Sequence, residues 1–170
     1  ARYRALGVPY RRGYLFKGPP GSGKTSMAVA LAGLAQMDVC ILSLADPSLT
    51  DAKLRVLMDG ASAGSLILIE DVDAAVVGRT VNTNGNLTTG DTLTFSGVLN
   101  ALDGAAAKEG RVVVMTTNHP ERLDDALLRP GRIDKQWFIG HADRSQALRL
   151  FHRFYPDARP EWADMFADGV

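Results

Sequence analysis

The chain has one cysteine, Cys40, in 170 residues. No intrachain disulfide can form, which points to a reducing compartment. Cys40 lies in the apolar run Val39-Cys40-Ile41-Leu42, the setting of a core thiol rather than a nucleophile. An excess of either charge is also missing, since 19 Lys and Arg stand against 19 Asp and Glu. That balance removes the general electrostatic attraction to a phosphate backbone. Aromatics are only 7% of the residues, and no basic stripe is interleaved with stacking rings, so a nucleic-acid motor is disfavoured. The one basic cluster, Arg2, Arg4, Arg11 and Arg12, reads as a solvated face or as a contact with a neighbouring subunit. No apolar run is long enough to cross a bilayer, and no signal peptide is visible. Internal repeats are absent. The chain opens on Ala1 and stops soon after a helical segment begins, so it reads as a piece of a longer protein.

What is present suffices for a real core, with 46% hydrophobic residues in one domain and a small appendage. Apolar runs at Tyr14 to Lys17, Val39 to Leu44, Leu66 to Ile69, Val112 to Thr116 and Gln136 to Ile139 read as strands. Most are continuous rather than alternating, as in a parallel sheet covered on both faces. Helical patterns lie between them. Met27, Ala30, Leu31 and Leu34 form one stripe, and Phe95, Val98, Leu99 and Leu102 another. Ser48 is the expected cap of a helix from about Leu49 to Met58, with Asp51 as its capping-box partner. The alternation gives an α/β domain with right-handed crossovers. After Ile139 the pattern becomes helical. Asp143 and Gln146 resemble a capping box, Ala147, Leu150, Phe151 and Phe154 a stripe, and Pro160 the start of a helix carrying Trp162, Met165 and Phe166. Residues 1–140 are therefore expected to form the α/β unit and 141–170 the truncated start of a helical lid with exposed aromatics. The Gly-, Asn- and Thr-rich stretch Gly78 to Thr92 reads as a mobile loop. Its Asn86-Leu87-Thr88 triplet fits a glycosylation acceptor by coincidence.

The run Gly18-Pro19-Pro20-Gly21-Ser22-Gly23-Lys24-Thr25 fits the phosphate-loop pattern G-x-x-x-x-G-K-[ST]. Glycines let successive N–H groups turn inward toward phosphate oxygens. Lys24 would reach the terminal phosphates, Thr25 would ligate Mg²⁺, and the helix that continues through Ser26 adds the positive end of its dipole. Strand, loop and helix follow in the order the motif needs.

Hydrolysis requires more than this cradle. Leu66-Ile67-Leu68-Ile69-Glu70-Asp71 is a Walker B-like strand with acids at its C-terminal end, the edge where open α/β sheets bind ligands. Glu70 would sit near the metal and Asp71 would polarise the attacking water, with both acids as metal-site candidates beside Thr25. Asp73 is a reserve base. Three acids so close together would repel without a cation. Asn118, at the end of the fourth strand, is a candidate sensor of the terminal phosphate, and His119 a turn-fixing residue before Pro120. Arg129-Pro130-Gly131-Arg132 presents two arginines on a Pro-Gly turn, either of the kind that stabilises a γ-phosphate of the same or another subunit or a surface turn with two solvated arginines.

In this order the motifs resemble the AAA+ ATPases. That resemblance implies ATP and Mg²⁺ as ligands, sheet order 5-1-4-3-2, Asn118 as sensor 1, and Arg129 and Arg132 as fingers reaching into the next subunit of a ring. A narrower resemblance rests on Gly7-Val8-Pro9-Tyr10-Arg11-Arg12-Gly13-Tyr14, on Leu68 to Ala75, on Thr94 to Gly104, on Met115 to Pro120 and on Arg153-Phe154-Tyr155-Pro156. These are similar to the mitochondrial AAA chaperones that assemble the Rieske iron–sulfur protein into respiratory complex III. The Glu-Asp order is shared with that family. The resemblance implies a heptameric ring on the matrix side of the inner membrane, a folded client, and an upstream membrane helix and middle domain outside this chain. Leu44-Ala45-Asp46-Pro47-Ser48-Leu49, where many unfoldases carry an aromatic pore loop, has none. Passage of a folded client fits that absence, and the Gly78 to Thr92 loop is a second candidate for lining the pore. Competing readings are another membrane-associated AAA remodeller with a different client, and an ATP-dependent scaffold or switch with weak turnover.

Overall fold

The computed structural model describes residues 12–74, 93–106 and 110–169. The expectations for the Gly78 to Thr92 loop, for Arg2, Arg4 and Arg11, and for the Gly7 to Arg11 part of the narrower signature lie outside the described residues.

Five strands form one parallel sheet: β1 Arg12–Lys17, β2 Val39–Ser43, β3 Leu66–Glu70, β4 Val112–Thr117 and β5 Lys135–Phe138. Their order is β2-β3-β4-β1-β5, the order implied by the family resemblance. The α/β expectation holds. Leu66 to Ile69 is buried throughout because β3 is interior and both its faces are covered. Ile67 and Ile69 enter one core with Leu15, Val113 and Met115, whereas Leu66 and Leu68 enter the other with Phe16 and Val114. The edge strands are less covered, and β5 is exposed along its length.

The described helices are α1 Lys24–Leu34, α2 Asp51–Gly60, α3 Phe95–Ala106, α4 Arg144–Phe154 and α5 Pro160–Asp168. In α3 the expected face is the buried one, through Phe95, Val98 and Leu102. In α1 it is not. The buried residues are Lys24, Ala28 and Ala32, while Met27 and Leu31 are half-exposed and Leu34 is 84% exposed. Alanines four apart let the helix axis lie close to the sheet, and a helix apolar on every side gives periodicity no face to select. Choosing this face also aims Lys24 inward.

The start of α2 is a second correction. Thr50, not Ser48, is the N-cap, and its hydroxyl accepts from the Lys53 N–H at 3.2 Å. Asp51 instead accepts from the Thr94 N–H and hydroxyl, both at 2.7 Å, and so ties α2 to the start of α3. A Cβ at Gly97 would lie 2.0 Å from that carboxylate, so glycine permits the close approach.

At the far end of α2 a buried arginine closes the helix. Arg111 is 2% exposed. Its guanidinium donates to the carbonyls of Met58, Asp59, Ala61 and Ser62. A fixed positive charge suits the negative end of a helix dipole, and the fork satisfies carbonyls that would otherwise be buried without donors. Arg111→Ala is therefore expected to cost about 2–4 kcal/mol of stability, read as a lower urea midpoint at unchanged slope.

The capping box of α4 is present as read, with Asp143 accepting from the Gln146 N–H at 2.8 Å and Gln146 accepting from the Asp143 N–H at 3.0 Å. Helices α4 and α5 form a hairpin held by Arg144 to Asp164 and Asp168, at 2.6 and 2.9 Å, and by Phe151 against Phe166. Its buried positions are Ala147, Ala163 and Ala167. Phe154, Tyr155, Trp162 and Met165 are exposed.

Candidate functional site

The glycine-rich loop leaves the C-terminal end of β1 and enters α1 directly. Gly18 donates its N–H to the Thr117 carbonyl at 3.3 Å, which ties the loop to β4. A Cβ there would lie 2.0 Å from the Ile139 carbonyl oxygen, so the passage of the chain after β5 admits only glycine. Gly21 and Gly23 are needed for backbone conformation instead, with φ of +77° and +90°. Gly23 accepts from Met27 N–H at 2.8 Å, while no side chain caps α1 and no acid stands in its first turn. The positive end of the helix dipole is left to an external anion.

Two side chains of the loop fit such an anion. The Ser22 hydroxyl is buried and has no hydrogen-bond partner among the described residues, a cost that a phosphate oxygen would relieve. Lys24 is 7% exposed, and its ammonium donates to the carbonyls of Gly18 at 3.0 Å and Pro19 at 2.7 Å. Burial lowers its pKa below that of an ordinary lysine, against the opposing pull of Asp71 and Asp73.

The acids converge on the same edge. Glu70 is the last residue of β3, and its carboxylate accepts from the Thr25 hydroxyl at 2.6 Å. This pair offers oxygen ligands only, which suits a hard cation that keeps water and phosphate in its shell. Among the described residues no group of three or more His, Cys, Asp or Glu is placed to enclose a metal, so a cation here would share its shell with the ligand.

Successive residues of a strand point to opposite faces. Asp71 breaks that alternation with φ of +50°. Its N–H donates to the Thr116 hydroxyl, and Asn118 donates its amide to the Asp71 carboxylate, each at 3.3 Å. The exposed carboxylate of Asp71 is thus held beside Asn118 at the loop end of the sheet. Asp73 is different. It is 8% exposed and accepts from the buried Thr117 hydroxyl at 2.6 Å, so it is a brace rather than the reserve base. Thr117 also accepts from the His119 N–H at 3.0 Å, which fixes the turn under Asn118. His119 contacts Glu121 at 3.0 Å and serves the turn. Sequence reasoning passed over Thr116, Thr117 and the bracing role of Asp73. Their signal was a buried apolar run ending in adjacent hydroxyls.

The arginines diverge. Arg129 is exposed, and its side chain makes no hydrogen bond or ion pair among the described residues. Arg132 is only 17% exposed at its side chain. It grips Asp103 bidentately at 2.8 and 2.7 Å and donates to the Ala126 carbonyl at 2.6 Å. Asp103 holds the Arg132 pKa above its ordinary value. No hydrogen bond or ion pair among the described residues joins either arginine to the loop, Glu70, Asp71 or Asn118. An open, largely apolar groove of about 770 Å³ adjoins the loop at Ser22 and runs past Met27, Trp137 and His141 to Gln146.

Residues 14–141 match the family model described as ATPase family associated with various cellular activities (AAA). The chain is 51% identical over 170 residues to mitochondrial chaperone BCS1 of Bos taurus, covering 99% of this chain and 41% of that protein. It is 49% identical to mitochondrial chaperone BCS1 of Homo sapiens, with the same coverage. It is 48% identical over 168 residues to the probable mitochondrial chaperone bcs1 of Schizosaccharomyces pombe, covering 99% of this chain and 37% of that protein. The chain thus spans about two-fifths of the length of these curated relatives.

Proposed function

The chain belongs to the AAA family of ATPases, and from that premise we propose that it is the motor domain of a ring-forming mitochondrial chaperone. The observation that carries the reading is the convergence on one sheet edge of Lys24, of the Thr25–Glu70 pair and of the Asn118–Asp71 pair. The first cradles phosphate. The second is an oxygen-only seat, where Thr25 and Glu70 would hold Mg²⁺, whose charge stabilises phosphoryl oxygens during transfer. The third pairs an exposed carboxylate with an amide that can orient a water. Asp71 takes the role of base, Asn118 that of sensor, and Arg129 completes the neighbour's site. The groove beside Ser22 suits the apolar body of a nucleoside whose phosphates lie in the loop. Residues 1–140 act as the ATPase unit, and 141–170, with α4 and α5, as the start of a C-terminal helical lid.

The finer reading follows the relatives, which are named as mitochondrial chaperones. The whole protein forms a homo-oligomeric ring, a heptamer by family resemblance, at the inner membrane with this domain on the matrix side. Its client is the folded Rieske iron–sulfur protein, translocated for assembly of complex III. The non-aromatic stretch Leu44 to Leu49 favours a folded client over a threaded one. Among the described residues no helix is long and apolar enough to cross a membrane, so attachment belongs to other segments.

The test is Asp71→Asn in the assembled protein. Nucleotide affinity should be unchanged, while turnover falls by about 10²–10⁴-fold, the span of a general base. Reconstituted in a membrane with folded Rieske protein, the variant should bind client without delivering it. Normal turnover would remove Asp71 from the role of base.

A further inference from the structure

Family resemblance gives Arg129 and Arg132 one role, but their surroundings here are opposite. We infer that Arg132 is a positioning residue that fixes the turn carrying Arg129, with Asp103 as the counter-charge it requires, and that Arg129 alone meets the neighbouring phosphate. This rests on the shared-site reading above and divides its labour.

All three nitrogens of the Arg132 guanidinium are engaged, two by the Asp103 carboxylate and one by the Ala126 carbonyl. Reaching a phosphate would require breaking a charge-assisted fork, the strongest hydrogen-bond arrangement a side chain offers. Among the described residues Arg129 has no such bond to give up. Asp103 lies in the last turn of α3, where a carboxylate meets the negative end of the helix dipole. Its position is unfavourable for the helix alone and is offset by the arginine.

The surrounding turn is anchored on the same side. Leu127 and Ile133 are buried in the main core on either side of Arg129. Asp134 accepts from the Gly13 N–H at 2.9 Å, and the Asp134 N–H donates to the Gly13 carbonyl at 2.8 Å. A Cβ at Gly13 would lie 1.7 Å from the Arg132 carbonyl oxygen, so the turn rests directly on β1. That strand ends in the phosphate loop of the same subunit. The turn that presents Arg129 outward is thereby bolted to the sheet at Arg132 and Asp134, and its crest is closed by Gly131 donating to Asp134 at 3.3 Å, while the Arg129 side chain is unbonded among the described residues.

The experiment compares Asp103→Asn, the exchange Asp103→Arg with Arg132→Asp, and Arg129→Ala in the assembled protein, reading kcat, nucleotide Kd and Tm for each. Asp103 is 54% exposed at its side chain, so the asparagine variant spares the fold. The expected result is a kcat about tenfold or more lower in Asp103→Asn at unchanged Kd, since a finger misplaced by an ångström loses at least that much. The exchange should return kcat to within about threefold of wild type, because a re-formed pair cancels most of two separate losses. An aspartate at position 132 has no means of stabilising a phosphate, so recovery is possible only if the role is positioning. Wild-type kcat in Asp103→Asn, where the arginine is released, would overturn the inference. So would a folded exchange variant as inactive as Arg129→Ala. Wild-type turnover in Arg129→Ala would instead strike at the shared-site reading itself.

Discussion

Replacing Lys24 by alanine is expected to raise the nucleotide Kd by about 10²-fold or more, the usual consequence of truncating one partner of a buried, hydrogen-bonded charge pair. The reasons are local. Lys24 is buried at 7% exposure and brings the loop's own positive charge to its floor. Its ammonium also ties the Gly18 and Pro19 carbonyls together, so its loss slackens the cradle as well as discharging it. Asp71 and Asp73 both act on Lys24 electrostatically. Without it those two negative charges lose an opposing cation at the loop. Calorimetric titration with ATP checks the result, with circular dichroism as the control for folding. An unchanged Kd would mean that phosphates do not bind in this loop.

Replacing Arg129 by alanine is expected to lower turnover by about 10³-fold or more while leaving nucleotide affinity intact, the signature of an arginine that acts only on the transition state of phosphoryl transfer. The side chain is exposed and uncommitted among the described residues, on a turn fixed by Arg132 and Asp134. Among the described residues no hydrogen bond or ion pair joins it to the loop, Asp71 or Asn118. Arg129→Ala should therefore leave its own subunit's loop, metal seat and water-positioning pair undisturbed. A parallel loss of affinity would imply that the arginine binds ground-state nucleotide and contributes less to the chemical step.

The sheet was legible because a parallel sheet buries both faces, and unbroken runs such as Leu66 to Ile69 have few other uses. The loop, Glu70, Asp71 and Asn118 were legible because the ends of those strands fix their positions. What periodicity could not supply was the choice among apolar faces. Helix α1 buries Ala28 and Ala32 rather than Met27 and Leu31, since close approach to the sheet favours small side chains over large ones. In α5, which packs against α4, Ala163 and Ala167 are likewise inward and Trp162 and Met165 outside. Partners distant in sequence were equally hidden. Nothing local links Asp51 to Thr94, Asp73 to Thr117 or Asp103 to Arg132, and each pairing changed how a charged residue is read. Asp73 ceased to be a reserve base, and Arg132 ceased to be equivalent to Arg129.

The central claim is that a working site needs two subunits, one giving the loop and acids and the other giving Arg129. It is tested most directly by mixing assemblies of Lys24→Ala subunits with assemblies of Arg129→Ala subunits under conditions of subunit exchange and measuring ATP hydrolysis. Each alone should be inactive. In mixed rings, an Arg129→Ala subunit keeps an intact loop and can receive the arginine of a Lys24→Ala neighbour, so a fraction of wild-type turnover should return. Mixed rings of confirmed composition that stay as inactive as their parents would contradict the shared site.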